Sequence, residues 1–465
     1  MAKILISYFS DYGEAMYDAI SDILLKNGND VFRFNINNPA VSITKWGGDC
    51  SISDKSVIKQ ITDFAPEIVL NFNNCLPKNC YDVLSKKCKI LLLDADGPSV
   101  AFWNKNVIKK HFDMLIFLGL QSYSKIMYED WLKKKLNNKN YLYFPPATVV
   151  QNKKLKQDKN VSFIGSNFYP LFIPENEKFY TKKALELYDK FKDNYYFSFE
   201  AAKKIYRNIT FDVFEAIRGF YCGQQRLQYM QQLVNLGFTF YGSRGWEHIA
   251  YYDFELAKCF NSKNISTIEE NQWVYNTSKI SVNFSHPLAK SSFSWRVMDI
   301  MASGACLLME DKPDWKDLFA KYLSKDVLDT IIYKDRFDMR QKAIKLLSDE
   351  DLRLKCVKEL NNAIEQNGRW EVRFKDLEKF LGIKLLNLPT TGKYIVISRD
   401  EKPVKVEDSL PKQHKNIFQK LKMKKRYKLF VYSLLLALCQ IPLLDMGIRH
   451  KHRDKLLQKI NKHWR

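Results

Sequence analysis

Short apolar runs alternate with amphipathic segments along the first 150 residues, and this alternation limits the folds that the chain can adopt. KILISYFS is typical of a buried strand, EAMYDAISDILLKNG carries apolar residues at helical spacing up to Gly28, and NDVFRFNI is strand-like again. Further strand-like runs, EIVLNFNN, KILLLDADGP and DMLIFLG, end in polar or glycine-containing loops. The pattern predicts a mostly parallel sheet covered by helices, as in an α/β fold.

A second set of α/β segments follows the adjacent prolines in YLYFPPATVV, so we place a domain boundary near Val150. The strands NVSFIGSN, FTFYG, KISVNF and ACLLM alternate with helices such as QQRLQYMQQLVNLG. A chain of 465 residues exceeds the usual size of one core. We therefore predict two Rossmann-like doubly wound domains, residues 1–150 and 151–383, the second with a helical insertion at about 168–223, followed by a linker at 384–411 and a tail at 412–465.

Most of the positive charge of the chain is concentrated in that tail. The formal net charge is +22, and residues 412–465 hold 15 Lys and Arg against only Asp445 and Asp454. The first 411 residues are left with about +9, which is ordinary for a soluble enzyme and argues against a nucleic-acid groove in the main body.

The tail also contains the apolar run LFVYSLLLALCQIPLL, from Leu429 to Leu444, between two basic clusters. Sixteen residues are short for a membrane span, which needs about 20. Basic residues on both sides favour a basic amphipathic helical segment that lies on the anionic inner leaflet. The alternatives are a helical hairpin packed on the body and a nucleic-acid-binding segment; we expect no nucleic-acid partner.

Cysteine usage and the first residues indicate where the protein acts. None of the nine cysteines falls in a CxxC pair or has zinc-ligand spacing, which is typical of reduced, mostly buried thiols. MAKILISYF lacks the long apolar core and cleavage site of a signal peptide. We expect a cytoplasmic protein that is peripheral at the inner membrane face.

The stretch SSFSWRVMDIMASGACLLMED places two charges in an apolar helical pattern. We predict a helix over Ser292–Ser303, capped by Ser291 or Ser292 and ended by Gly304, in which Arg296 and Asp299 share a face. In an open α/β sheet, ligands bind at the carboxyl ends of strands beside helix N-termini. There an aspartate can accept hydrogen bonds from a ribose and an arginine can bind a diphosphate. The alternative is a structural Arg-Asp pair that orients the helix.

A later segment, SDEDLRLKCVKELNNAIEQNG, has a clear helical pattern. We predict that Ser348 caps this helix and that Gly368 ends it.

The segment YNTSKISVNFSHPLAKSSFSWRVMDIMASGACLLMEDKPDWKDLF resembles the nucleotide-binding part of GT-B glycosyltransferases, especially the CgeB-like (glycosyl transferases group 1) family. NVSFIGSN, QQRLQYMQQL and FTFYGSRGW are similar to the preceding elements of that domain. The resemblance extends from Val161 to about Phe380, and the N-terminal half fits only in its general layout. It implies two domains facing a cleft, a nucleotide-sugar donor bound by the C-terminal domain, and an acceptor bound mostly by the N-terminal one.

Carried over by position, the resemblance implies a set of donor-binding residues. Asp299 matches the acid that holds the ribose, although the family more often has Glu there, and Ser291 replaces the sugar-contacting Glu of many retaining enzymes. A retaining mechanism of that type is therefore in doubt. The positions carried over for donor binding are Gly165, Ser166, Arg226, Arg296 and Asp299, and Arg244 and Ser292 are further donor-binding candidates because of their places in the crevice loops.

If the reaction inverts, it needs a base that accepts the proton of the acceptor hydroxyl. The candidates for catalysis are Asp11 in SYFSDYG and Asp96 in LLLDADGP, both in loops after N-terminal strands, together with His286 in the crevice loop of the second domain. Each of them also fits a turn position. DAD matches a metal-binding D-x-D pattern, but the doubly wound layout argues against that role. We expect no metal and no cofactor besides the nucleotide-sugar substrate.

These features predict a hexosyltransferase-type glycosyltransferase. Its partners would be a nucleotide sugar, a lipid-linked glycan acceptor of the lipopolysaccharide, O-antigen or capsule type, and the anionic inner leaflet through residues 412–465. The alternatives are a glycosyltransferase that modifies a surface or flagellar protein, and a non-catalytic scaffold that binds nucleotide sugars.

Overall fold

The structure, a computed structural model, describes residues 1–10, 14–39, 41–43, 50–94, 105–166, 182–194, 197–242, 246, 249, 253–263, 265–286 and 289–398. Within these residues the strands are β1 (Lys3–Tyr8), β2 (Asp30–Asn35), β3 (Val41–Ile43), β4 (Cys50–Ile52), β5 (Ile68–Phe72), β6 (Lys89–Asp94), β7 (Leu115–Gly119), β8 (Tyr141–Tyr143), β9 (Lys159–Ile164), β10 (Phe238–Tyr241), β11 (Phe260–Asn261), β12 (Ser278–Val282), β13 (Cys306–Glu310), β14 (Ile332–Tyr333) and β15 (Tyr394–Ile397).

The helices of the same residues alternate with these strands over most of the chain. They are α1 (Ala15–Lys26), α2 (Lys55–Phe64), α3 (Lys78–Val83), α4 (Lys105–Lys110), α5 (Ser124–Leu132), α6 (Lys182–Asp193), α7 (Phe199–Ile205), α8 (Phe211–Gln231), α9 (Phe254–Lys258), α10 (Ile268–Asn276), α11 (Trp295–Met301), α12 (Pro313–Phe319), α13 (Lys325–Ile331), α14 (Arg336–Ser348), α15 (Glu350–Asn367) and α16 (Trp370–Leu381).

The first sheet has the strand order β15-β2-β1-β5-β6-β7-β8, and every pair of neighbours is parallel. Successive residues of a strand point to opposite faces, so Leu5 packs in one core and Ile4 and Ile6 in another. Helices α2, α3, α4 and α5 cover the first face, and α1 covers the second. The sheet is therefore buried on both faces, which explains the nearly continuous apolar runs of its strands.

The second sheet has the order β11-β10-β9-β12-β13-β14 and is also parallel throughout. Its core is separate from those of the first sheet: Phe144 and Ala147 still pack with the first sheet, whereas Val150 packs with the second. The α/β prediction with two doubly wound sheets is confirmed. Strand order reverses between β9 and β12, and ligand crevices form at such a point, at the carboxyl ends of the strands.

The end of the described chain returns to the first sheet, contrary to the predicted boundaries. Trp370 and Phe374 of α16, which the sequence assigned to the second domain, pack in the core beneath β1. Tyr394–Ile397, inside the predicted linker at 384–411, forms β15 and pairs with β2. The linker prediction is wrong for these four residues, because their apolar side chains and backbone groups are used in the first sheet.

The helical insertion has a small core of its own. Leu187, Phe191, Ala202 and Phe214 come together from α6, α7 and the start of α8. The other end of α8 reaches the core of the second sheet through residues such as Met230. One helix thus connects the insertion with the second sheet.

Two predicted helix starts are wrong. Helix α11 begins at Trp295 rather than Ser292, and its N-cap Ser294 donates its hydroxyl to Asn283 Oδ1 (2.8 Å) instead of capping the helix. Helix α15 is capped by Asp349, which accepts from the Leu352 N–H at 2.9 Å, while Ser348 ends the preceding helix. Runs of several cap-forming residues precede both helices, and the sequence does not show which one caps.

Among the described residues, no helix is both long and apolar enough to cross a membrane. The tail at 412–465, including the apolar run Leu429–Leu444, lies outside the described residues.

Candidate functional site

The predicted crevice lies where β9 and β12 end, and polar side chains from four elements meet there. Gly165 and Ser166 follow β9, His286 lies in the loop after β12, Arg226 comes from α8, and Arg296 and Asp299 come from α11. Asp11, Asp96 and Arg244, which the sequence also proposed, lie outside the described residues.

Arg296 is directed toward the ends of β9 and β12. Its Nη1 donates to Asn283 Oδ1 at 3.0 Å, and its guanidinium lies 5.1 Å from the centre of the Phe163 ring. Burial, together with the nearby charge of Arg226, lowers the pKa of Arg296 to about 10, although Tyr275 and Asp299 act in the opposite direction. The side chain remains a cation at neutral pH.

Arg226 lies near the same phenylalanine. It donates to the Ser166 carbonyl at 2.5 Å and to the Phe284 carbonyl at 3.2 Å, and it lies 5.8 Å from the centre of the Phe163 ring. Only 4% of the residue is exposed. The aromatic ring, which both guanidiniums approach, offsets part of their mutual repulsion.

Gly165 lets Arg296 approach the backbone of this loop. A Cβ at Gly165 would lie 2.9 Å from Arg296 Nη2 and 2.6 Å from Cζ of Phe163. The Gly165 carbonyl accepts from Trp246 Nε1 at 2.6 Å, which fixes the loop. A side chain at this position would displace the arginine.

The positive charges of three arginines act on His286. The pKa of its imidazole lies well below the usual value, first because of burial and then because Arg218, Arg226 and Arg296 oppose a further positive charge. The imidazole is therefore neutral at pH 7. We call Arg218, Arg226 and Arg296 the arginine cluster; the sequence proposed the last two and missed Arg218, which carried no signal beyond its place in a helical segment.

Asn283, at the carboxyl end of β12, carries a second feature that the sequence missed. Its Oδ1 must face Arg296, because a guanidinium only donates. Its Nδ2 is then fixed, is buried, and has no hydrogen-bond partner among the described residues. Leaving a buried donor unsatisfied costs about 1–3 kcal/mol, so a ligand or water acceptor is expected there.

Asp299 is held by two neighbours and not by Arg296. The Thr148 hydroxyl donates to Oδ1 at 2.6 Å and Asn271 Nδ2 donates to Oδ2 at 2.9 Å. Arg296 and Asp299 both belong to the described residues, and they form no ion pair with each other, so the structural Arg-Asp pair is not formed. Burial raises the pKa of Asp299 to about 6, although both hydrogen bonds and the charge of Arg296 act in the opposite direction.

Ser291 and Ser292 contact the first domain. The Ser292 hydroxyl donates to the Leu120 carbonyl at 2.9 Å, and its role in donor binding stays a prediction. The Ser291 hydroxyl donates to Asp314 Oδ2 at 3.0 Å, and the Ser122 hydroxyl donates to Asp314 Oδ1 at 2.6 Å. The position where many retaining enzymes carry Glu therefore belongs to a junction between the two sheets.

On the first sheet, a polar cluster lies at the carboxyl end of β1. Glu14 accepts from the Tyr8 hydroxyl at 2.6 Å and from Asn35 Nδ2 at 2.7 Å, and it lies 3.1 Å from Arg33 Nη2. The sequence pointed to the same loop through Asp11 but missed Glu14. All these contacts hold the Glu14 carboxylate in place at the edge that faces the predicted acceptor side.

Comparisons with known proteins agree with this arrangement. Residues 224–379 match the model of a family described as glycosyl transferase-like. These residues include α8 from its middle onward, β12, α11 and most of α16. Among curated proteins, none matches the chain in sequence.

Solved structures resemble the chain over most of its length. An alpha-glucosyltransferase in complex with UDP-glucose and DNA containing an abasic site has a TM-score of 0.50 at 11% identity, covering 82% of this chain and 99% of its own. T4 phage BGT in complex with UDP and Mn²⁺ has a TM-score of 0.46 at 13% identity, with coverages of 82% and 99%. A sucrose-phosphate synthase from Thermosynechococcus elongatus has a TM-score of 0.46 at 10% identity, covering 82% of this chain and 98% of its own. At such low identity, the first of these supports the fold alone.

Proposed function

We propose that this chain, a glycosyltransferase of the GT-B fold, transfers a sugar from a nucleotide-sugar donor to a lipid-linked or surface-polysaccharide acceptor at the inner membrane face. Arg226 and Arg296, which contact the loops and residues at the carboxyl ends of β9 and β12, are the observation that carries the donor half of this proposal.

A nucleotide sugar fits the charges of this crevice. Its diphosphate is an anion that accepts forked hydrogen bonds from guanidinium groups, and the buried Nδ2 of Asn283 offers one more donor. When the glycosidic bond breaks, negative charge grows on the departing diphosphate. Fixed cations in a crevice of low dielectric stabilise that charge without reorganising.

Asp299 is suited to the ribose of the same ligand. Each carboxylate oxygen accepts one bond from Thr148 or Asn271, and each has a further lone pair for a hydroxyl group. His286 is neutral, so its imidazole can accept a hydrogen bond; the base for the acceptor hydroxyl is proposed among His286, Asp11 and Asp96. That the enzyme needs no metal stays a prediction. Measuring its activity in EDTA and in Mg²⁺ or Mn²⁺ tests this.

The acceptor half of the proposal rests on the sequence of the tail. Residues 412–465 combine 15 basic residues with the apolar run Leu429–Leu444. Each basic residue near an anionic leaflet contributes about 1 kcal/mol of attraction, which salt weakens. An enzyme held there meets lipid-linked glycans directly.

Vesicle co-sedimentation tests the membrane half. We expect the full chain to bind vesicles with 30% phosphatidylglycerol, to release at high salt, and to lose binding when it is truncated after Pro411. Replacing Lys424, Lys425 and Arg426 by Gln should weaken binding, whereas replacing the exposed Lys153, Lys154 and Lys156 by Gln removes the same charge from the body and should not. Equal binding of the truncated chain would refute the membrane role.

Transfer from labelled nucleotide sugars to a membrane extract tests the acceptor. Label that moves to the lipid or polysaccharide fraction supports the proposal. Label on protein would instead favour a protein acceptor, and label on added DNA would favour a DNA acceptor. If no nucleotide sugar of the panel is hydrolysed or used for transfer, the glycosyltransferase activity itself is contradicted.

A further inference from the structure

Within the described residues, the chain leads from one sheet to the other at two places, and these places are bonded to each other. Residues 147–151, the first crossing segment, lead from the core of the first sheet to that of the second, and residues 364–370, the second crossing segment, lead back. The Thr148 N–H donates to the Gly368 carbonyl at 3.0 Å, and Thr148 forms an isolated parallel β-bridge with Arg369. The backbone of Thr148 is therefore fixed where the two segments meet.

The side chain of Thr148 extends from this crossing to the carboxylate of Asp299. Its hydroxyl donates to Asp299 Oδ1 at 2.6 Å and accepts from the Val150 N–H at 3.0 Å. Because an N–H can only donate, the single proton of the hydroxyl is left for the carboxylate when Asp299 is ionised. Only 3% of Thr148 is exposed, so water does not compete freely for these bonds.

The second donor to this carboxylate is tied to the same crossing. Asn271 Nδ2, on α10, donates to Asp299 Oδ2 at 2.9 Å. The next residue along α10, Gln272, accepts from the Gln151 N–H through Oε1 at 2.8 Å, and Asn276 Nδ2 donates to the Gln151 carbonyl at 2.9 Å. Both groups that hold the carboxylate are thus anchored to the first crossing segment.

The groups that act on the Asp299 carboxyl come from several elements. Burial raises its pKa to about 6. Four neighbours act in the opposite direction, Thr148 and Asn271 through hydrogen bonds and Arg296 and Arg369 through their charges. Tyr275 of α10 is also near, since burial and then the charge of Asp299 raise the pKa of its hydroxyl, although Arg296 lowers it. Removing the Thr148 hydroxyl should therefore raise the pKa of Asp299 further.

We propose that Thr148 is a positioning residue for donor recognition, because its hydroxyl holds the Asp299 carboxylate in the orientation that binds the ribose of the donor. This inference rests on the proposed function and deepens it, since it assigns a part in ribose recognition to the segment that connects the two sheets. The ribose contact then depends on the placement of the first crossing segment as well as on α11.

The test compares ligands with and without ribose hydroxyls. UDP, GDP, ADP and CDP are titrated into the full chain by calorimetry, each beside its 2′,3′-dideoxy form. For the diphosphate that binds, Thr148→Val should weaken the affinity of the ribonucleotide about tenfold, the size expected for a lost hydrogen bond to a charged group, and leave that of the dideoxy form unchanged. A purely structural role would weaken both affinities equally.

Conservative and control variants isolate the hydroxyl. Thr148→Ser keeps the donor to Asp299 and the acceptor for Val150, so it should keep the preference for the ribonucleotide. Thr148→Ala is the second variant without the hydroxyl and decides the case if Thr148→Val folds poorly. Thr330→Val removes another buried threonine hydroxyl, which donates to the Asp326 carbonyl at 2.6 Å on α13, and should change neither affinity.

The pH dependence provides a readout that a structural role would not move. The ratio of the ribonucleotide affinity to the dideoxy affinity is measured from pH 5 to 8, so that titration of the phosphates cancels. In the wild type this ratio should fall as the pH drops through about 6 and Asp299 gains a proton. In Thr148→Val the midpoint should move to higher pH, and an unmoved midpoint would contradict the role of Thr148.

The outcomes distinguish this inference from the proposed function. If Thr148→Val keeps the preference for the ribonucleotide while Asp299→Asn loses it, the inference is overturned and the donor site stands. If the wild type binds no diphosphate of the panel, or binds both forms equally, the ribose site at Asp299 is itself refuted, and the role of Thr148 with it.

Discussion

At the scale of single residues, the site depends on polar groups that are fixed before a ligand binds. Asp299 is bonded through both carboxylate oxygens, Arg296 through Asn283, and Arg226 through two backbone carbonyls. Such groups lose little freedom when a ligand arrives, so their hydrogen bonds contribute more fully to affinity.

The ionisation of Asp299 should control donor affinity near pH 6. Its pKa is raised to about 6, so the carboxylate gains a proton and loses acceptor capacity as the pH falls from 7 to 5. We expect the affinity for a nucleotide sugar, whose diphosphate does not titrate in this range, to fall about tenfold over that interval. Asp299→Asn should bind more weakly at pH 7 and show no such dependence in calorimetric titrations.

The raised pKa of Asp299 affects the stability of the fold in the opposite direction to donor affinity. A carboxyl whose pKa is higher in the folded state than its usual 3.8 favours folding most at acid pH, and that contribution is lost as the pH rises through about 6. A pH-independent difference in unfolding free energy between the wild type and Asp299→Asn from pH 4 to 7 would contradict the burial of this carboxyl.

Gly165 should be needed for donor binding because of the space that Arg296 occupies. Gly165→Ala places a methyl group 2.6 Å from Cζ of the buried Phe163 and 2.9 Å from Arg296 Nη2, so we expect donor affinity to fall about tenfold, together with a loss of stability. Gly382→Ala is the contrasting variant: its φ of +66° makes an alanine strained by about 1 kcal/mol, but nothing lies within 4 Å of the added Cβ. Donor titrations should therefore separate the two variants, because Gly165→Ala loses affinity for the donor whereas Gly382→Ala keeps that of the wild type.

At the scale of helices and strands, buried parallel strands are the part that the sequence predicts well. Runs such as KILISY and KILLLD are apolar on both faces, so they indicate a buried strand even when the partner strand is unknown. Strand β15 was missed because its four residues lie among polar ones and its partner β2 is about 360 residues away. Arg218 and Asn283 were missed for a similar reason, since their roles depend on which elements the fold brings beside them.

The junction between Ser122, Ser291 and Asp314 should stabilise the contact between the two sheets. Asp314 is 2% exposed and accepts from the Ser122 N–H and from both serine hydroxyls. Asp314→Ala leaves these donors without their acceptor, so we expect a loss of about 2 kcal/mol in the free energy of unfolding.

A nearby surface aspartate provides the control. The side chain of Asp311 is 57% exposed and pairs with Lys316, so Asp311→Ala should cost less than about 1 kcal/mol. Equal losses for the two variants in urea denaturation would show that the junction is not a stabilising contact.

At the scale of the whole molecule, two charge distributions have separate roles. The first 411 residues carry only about +9, yet Arg226 and Arg296 lie near the same ring at one crevice, while the tail carries +13. We therefore expect donor binding to survive truncation after Pro411, because the cluster lies in α8 and α11. The affinity of the full chain and of residues 1–411 for the same donor checks this, and a loss on truncation would contradict the separation.

The most direct test of the account is the thermal shift that a nucleoside diphosphate causes in the wild type and in Arg296→Gln. A ligand at 100 times its dissociation constant stabilises the folded state by about 2.7 kcal/mol. We predict a clear rise in the melting temperature of the wild type with one diphosphate of the panel and none in Arg296→Gln, whose melting temperature without ligand should be close to that of the wild type. An equal rise in both proteins would contradict a donor site at the ends of β9 and β12.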